Sequence, residues 1–101
     1  MTLNDLLNEK IYVQIQYIDT DKSTVLHENK FNGRVLKVDP QGGITIQPEE
    51  DKSTVTVIPP STEACWRDEN NMLHVNWLVY RLQEVRTEGE HEWWDWQPKR
   101  L

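Results

Sequence analysis

A chain of 101 residues has room for one hydrophobic core and no more. Its apolar share of 37% and mean hydropathy of −0.76 keep that core thin, so five Trp, three Tyr and one Phe must supply much of its buried area. A net charge of −6, with no basic cluster denser than Lys99-Arg100, argues against a nucleic-acid binder, which needs cations to displace the counterions of a polyanion.

The same charge balance suits a solvated surface, or a basic protein partner drawn in by electrostatic steering. Cys65 is the single cysteine, so no intrachain disulfide forms. Met1-Thr2-Leu3-Asn4-Asp5 has neither the basic start nor the apolar stretch of a signal peptide, and no run nears the ~20 apolar residues of a membrane span. The expected compartment is the cytoplasm.

In chain order, Thr2 to Lys10 reads as a short N-terminal helix. Thr2 or Asn4 can cap it, and Leu3, Leu6 and Leu7 form one apolar stripe. At two turns it must dock on something to persist. Ile11 to Ile18 alternates as a half-buried strand, with Ile11, Val13, Ile15 and Tyr17 on one face and Gln14 and Gln16 on the other. After the turn residues Asp19 to Ser23, Thr24 to Val38 reads as one long strand bent near Asn32-Gly33. Asp39-Pro40-Gln41-Gly42-Gly43 reverses the chain, with glycines available for positive φ. Gly43 to Gln47 and Thr54 to Ile58 follow as strands, the second ended by Pro59-Pro60. The pentapeptide Asp-Lys-Ser-Thr-Val stands at both Asp21–Val25 and Asp51–Val55, which reads as one turn chemistry used twice.

Ser61 to Trp66 can form a capped helical turn, and Asp68-Glu69-Asn70-Asn71 is a second turn. Met72 to Val85 fits a helical stripe (Val75, Leu78, Val79, Leu82, Val85) as well as a strand, and its Val, Trp and Tyr content favours the strand. With apolar residues on both faces, such a strand is central or covered from outside. The final stretch, 87–101, differs: Glu88, Glu90, Glu92 and Asp95 surround Trp93, Trp94 and Trp96. Three near-adjacent indoles cannot all face one core. The organisation is thus one domain, with a helix over 1–10, a barrel over 11–86 and an acidic, Trp-rich segment over 87–101.

Two stretches, Leu6-Leu7-Asn8-Glu9-Lys10-Ile11-Tyr12-Val13 and Phe31-Asn32-Gly33-Arg34-Val35-Leu36-Lys37-Val38-Asp39, give the first half of the chain an order that resembles the Sm-like fold. That resemblance implies a mainly β, SH3-like antiparallel barrel of five to six strands with a short N-terminal helix. It also implies a ring that binds RNA at loops after the second and fourth strands. The RNA site does not carry over by residue, since Gln41-Gly42-Gly43 stand where an asparagine commonly follows the Asp, and nothing near Trp77–Leu82 matches the second motif. Gly42-Gly43-Ile44-Thr45-Ile46 and Ile58-Pro59-Pro60-Ser61-Thr62 also look similar to small bacterial accessory proteins, some of them toxin-immunity proteins.

For chemistry the sequence offers little. His91 among Glu88, Glu90 and Glu92 lacks a second His for a metal set. Asp19-x-Asp21 lacks the glycine and closing glutamate of a calcium loop. Cys65 could pair with His27 or His74 as a nucleophile, but nothing local supports it, and no phosphate loop, HExxH or GxSxG occurs. Neither catalysis nor a cofactor is expected. Trp93, Trp94 and Trp96 could stack on single-stranded nucleic acid, but their carboxylate neighbours would repel phosphates. The expected function is a non-catalytic protein-interaction module. It self-associates or takes a basic partner such as a toxin, with Trp93, Trp94 and Trp96 as anchors and Glu88, Glu90, Glu92 and Asp95 as rim. The alternative is a divergent Sm-like RNA binder.

Overall fold

A computed structural model of the protein describes residues 1–81 and 94–99. It is mainly β. After a 3₁₀ turn at Leu3–Leu6 come seven strands, β1 (Lys10–Ile18), β2 (Val25–Asp39), β3 (Gly43–Pro48), β4 (Thr56–Ile58), β5 (Cys65–Arg67), β6 (Leu73–Arg81) and β7 (Trp94–Pro98). The strands form one sheet in the order β4-β3-β2-β1-β6-β5, with β7 also on β6.

The expected N-terminal helix is only that single turn. Leu7 already leaves helical geometry (ψ 131°) and Asn8 is left-handed (φ 65°), which frees the chain to enter β1 at Lys10. Two turns of helix would gain too few hydrogen bonds to offset nucleation. The turn docks as anticipated: Leu6 is buried and Leu3 packs on the core, although Leu7 points outward.

β2 is one bent strand that serves two partners. Its first half pairs antiparallel with β1, from His27↔Tyr17 to Asn32↔Tyr12. From Gly33 onward it also pairs with β3, with Gly33↔Pro48 and Val35↔Ile46. A Cβ at Gly33 would stand 2.7 Å from the Gln47 carbonyl oxygen and from Ile46 Cγ2, so only glycine lets the strands close here. At the β2–β3 turn Asp39 Oδ1 accepts the Gln41 N–H (2.9 Å), and Gly43 takes φ 102° with the Ile58 oxygen 2.5 Å from where a Cβ would lie. The twin pentapeptides behave alike. Asp21 Oδ1 accepts the Ser23 and Thr24 N–H groups, and Asp51 Oδ1 accepts that of Ser53.

The ambiguous segment is a strand from Leu73 to Arg81, and it is central. It differs from an all-antiparallel barrel in one respect. β6 lies parallel to β1, from Ile11↔Leu73 to Ile18↔Tyr80. The other edge of β6 is shared end to end. β5 covers Leu73–Val75 and β7 covers Trp77–Arg81. Asn76 stands at the handover, its N–H donating to the Ala64 carbonyl (3.1 Å) and its carbonyl accepting from the Lys99 N–H (3.0 Å). Among the described residues β4 and the β5/β7 edge do not pair, so the ladder is open.

Alternation carries Ile11, Val13 and Ile15 of β1 and Leu73, Val75, Trp77 and Val79 of β6 to one face. They join Val35, Ile44, Ile46 and Ile58 in a single buried cluster. One curled sheet thus closes its own core. That cluster holds the fully buried aliphatic side chains, while Leu7, Val25, Leu26, Leu36, Val55 and Val57 stay exposed.

Candidate functional site: an aromatic strand beside an acidic edge

The sequence singled out seven residues at the C-terminal end. Trp94, Asp95 and Trp96 fall in β7. Trp93, Glu88, Glu90 and Glu92, like His91, lie outside the described residues.

A strand sends alternate side chains to opposite faces. Trp94 and Trp96 therefore share the core face, and Asp95 and Gln97 point the other way, the Gln97 amide donating to Asp95 Oδ2 (2.9 Å). Register puts Trp96 opposite Val79 and Trp94 opposite Arg81. Trp96 meets Trp77 edge to face, with centroids 5.9 Å apart at 73°. Trp94 meets Tyr17 at 5.6 Å and 85°, and Tyr17 in turn contacts His27 at 5.7 Å. The two perpendicular contacts, Trp96 on Trp77 and Trp94 on Tyr17, satisfy the ring quadrupoles and fix the indoles in place, while His27 is tilted at 35° to Tyr17.

Both indoles pack against the core cluster yet remain only half-buried. They do two jobs at once: the inner edges seal Val79 and Trp77, and the outer faces meet solvent. Phe31 and Tyr17 are half-buried on the same side, so the indoles belong to a broader aromatic surface. Half-exposed indole is well suited to bind apolar groups or a cation over its ring face. Asp95 supplies an exposed negative charge on the same strand.

A second constellation lies on the opposite sheet face, and sequence reasoning missed it. The β5–β6 turn folds Trp66 directly opposite His74. The two rings stack at 4.1 Å and 14°, and Tyr12 of β1 closes edge-on at 5.8 Å. His74 Nε2 is 2.8 Å from Asp68 Oδ2; an ionised carboxylate only accepts, so that nitrogen carries the proton. Asp68 Oδ1 also accepts the Asn70 and Met72 N–H groups. These bonds, that of His74 foremost, hold the Asp68 carboxyl below the ordinary carboxylate value. The even spacing of Trp66 and His74 about Asn70, the middle of the five-residue loop 68–72, is the sequence signal for this pairing. The indole N–H of Trp66, Nδ1 of His74 and Oδ1 of Asn76 are buried without hydrogen-bond partners among the described residues.

The remaining candidates resolve into structure. Cys65 pairs with Val75, so its side chain faces away from His74, one residue earlier on β6. Burial pushes its thiol up to about 11, far from a reactive thiolate at neutral pH. Asp19 and Asp21 are engaged by the N–H groups of Thr20, Ser23 and Thr24. Among the described residues no group of three His, Cys, Asp or Glu is placed to hold a metal. A groove of about 300 Å³ runs over the β2 bend, lined by Arg34, Gln47, Pro48, Glu49 and Lys52. Arg34 is tied there to the Asn8 carbonyl (2.6 Å), and the facing charges are of mixed sign.

Compared with protein-family models, with curated proteins and with solved structures, the chain matches none.

Proposed function

We propose that this chain is a non-catalytic protein-interaction module on a curled, SH3-like half-barrel, and that β7 is its partner-binding strand. The single observation behind this reading is the half-burial of Trp94 and Trp96 in a chain otherwise short of apolar residues. Trp77 is buried, whereas these two indoles pack on the core and keep part of their surface open. Indole is enriched at interface hot spots because one residue covers a large area at little entropic cost.

The partner of this face is a basic segment of another protein. Asp95 and a net charge of −6 favour cations over a second acidic copy, and an arginine or lysine side chain can lie across an indole face. Self-association through this face would set Asp95 against Asp95. The cytoplasm suits such a module, with Cys65 a free, half-buried thiol.

The test is a titration with an arginine-rich peptide, read by tryptophan fluorescence, on the parent chain and on Trp94→Ala. Binding that needs Trp94 supports the reading. Binding that Trp94→Ala leaves unchanged would be mere attraction to an acidic surface and would refute it.

A further inference from the structure

The sheet has a second edge of opposite character, at β4. β4 pairs with β3 through Ile44↔Ile58, Thr45↔Val57 and Ile46↔Thr56, and with no other described strand. No charged residue stands between Lys52 and Glu63, in a chain 28% charged. The strand and its approach, Thr54-Val55-Thr56-Val57-Ile58, are wholly β-branched. Val55 and Val57 are 55% and 51% exposed, so this edge turns aliphatic side chains to water.

Edge strands of monomeric proteins are ordinarily blunted by charge, because an unpaired ladder is a template for another strand. Here only shortness and Pro59-Pro60 limit the edge. Electrostatics then selects the occupant. Two copies at −6 each repel most where acidic surfaces meet, and they approach at the least cost where neither carries local charge. An uncharged edge offers a basic partner nothing, whereas a two-fold axis at Val57 matches it to itself. Val57 then faces Val57, and Thr56 faces Ile58 of the second copy, pairs that β-branched side chains fill well.

We infer that β4 is a self-association edge, through which two copies of this chain pair antiparallel into one continuous sheet. The inference rests on reading the chain as an interaction module, and it leaves β7 of each copy open to a partner. Because the strand is short, the dimer is weak and depends on concentration. Salt strengthens it by screening the like net charges, the reverse of its effect on a basic partner at β7.

Sedimentation velocity of the full chain, over a range of concentrations at low and high salt, tests this. The expected mass rises from 12.0 kDa toward twice that value, and sooner at high salt. Val57→Lys weakens the dimer by about tenfold or more while circular dichroism stays unchanged. Val55→Lys, just outside the strand, repeats the test if the first variant misfolds. Trp94→Ala leaves the dimer intact. A mass of 12.0 kDa under every condition overturns the inference. So does a dimer that survives both lysine variants, or one that Trp94→Ala abolishes; the last would move self-association to the aromatic face.

Discussion

The two edges of the sheet show how one small chain can present two different surfaces. At the β4 edge the inward residue Ile58 is fully buried, and the outward residue Val57 is aliphatic and exposed. At the β7 edge the inward residues Trp94 and Trp96 are only half-buried, and the outward residue between them is Asp95. The β4 edge has a finished core beneath it and no charge along it. The β7 edge has an unfinished aromatic layer with an acid beside it. A finished, uncharged edge suits a copy of itself. A half-open aromatic one suits a cation-bearing partner.

The largest expected effect sharpens the core side of that contrast. Ile46→Ala removes a fully buried side chain that β2, β3 and Gly33 crowd, and should cost about 2–5 kcal/mol in denaturant unfolding. Trp96→Ala takes away more atoms, yet it should cost less, about 1–3 kcal/mol, because part of that indole still meets water. If Trp96→Ala proves the costlier change, the aromatic face is core and the contrast collapses. Val57→Lys should alter monomer stability by no more than about 0.5 kcal/mol, as an exposed substitution does.

Acid titration gives the smallest effect. Asp21 is lowered to about 2, chiefly by the Thr24 hydroxyl and then by backbone N–H groups; Asp68 is lowered by His74 and then by the Met72 N–H. Folded-state values below the unfolded ones mean that these bonds stabilise the fold above the ordinary carboxylate value of 3.8. That contribution is lost as pH falls through the folded values, for Asp21 at about 2. Carbon-13 NMR of the Asp side chains should show both carboxylates titrating late. Asp68→Asn should flatten the pH dependence of the β5–β6 turn and leave that of β7 unchanged.

What the sequence made legible was local. Alternation in Ile11–Tyr17 set the buried face of β1, and Gly33 marked the bend of β2. The repeated Asp-Lys-Ser-Thr-Val announced two turns of one kind. Over Met72–Val85 composition favoured a strand without settling it against its helical rival, and Leu73–Arg81 is a strand. Pairing partners were another matter. No local pattern says that β6 lies parallel to β1, since that choice is made by packing between segments far apart in the chain. The depth of Trp94 and Trp96 was equally hidden. Their alternation fixes a shared face, whereas their exposure depends on how far the sheet curls over them. The stack of Trp66 on His74 was hidden because the Asp68–Asn71 turn alone would set Trp66 against Leu73; the observed loop is one residue longer, 68–72.

The most direct measurement is the indole fluorescence of the chain on titration with an arginine-rich peptide, beside Trp94→Ala and Asp95→Lys. A saturable change is expected in the parent chain, weakening steeply with salt and lost in both variants, while unfolding curves show both still folded. Equal binding by all three proteins would contradict this expectation, and so would no binding by the parent chain.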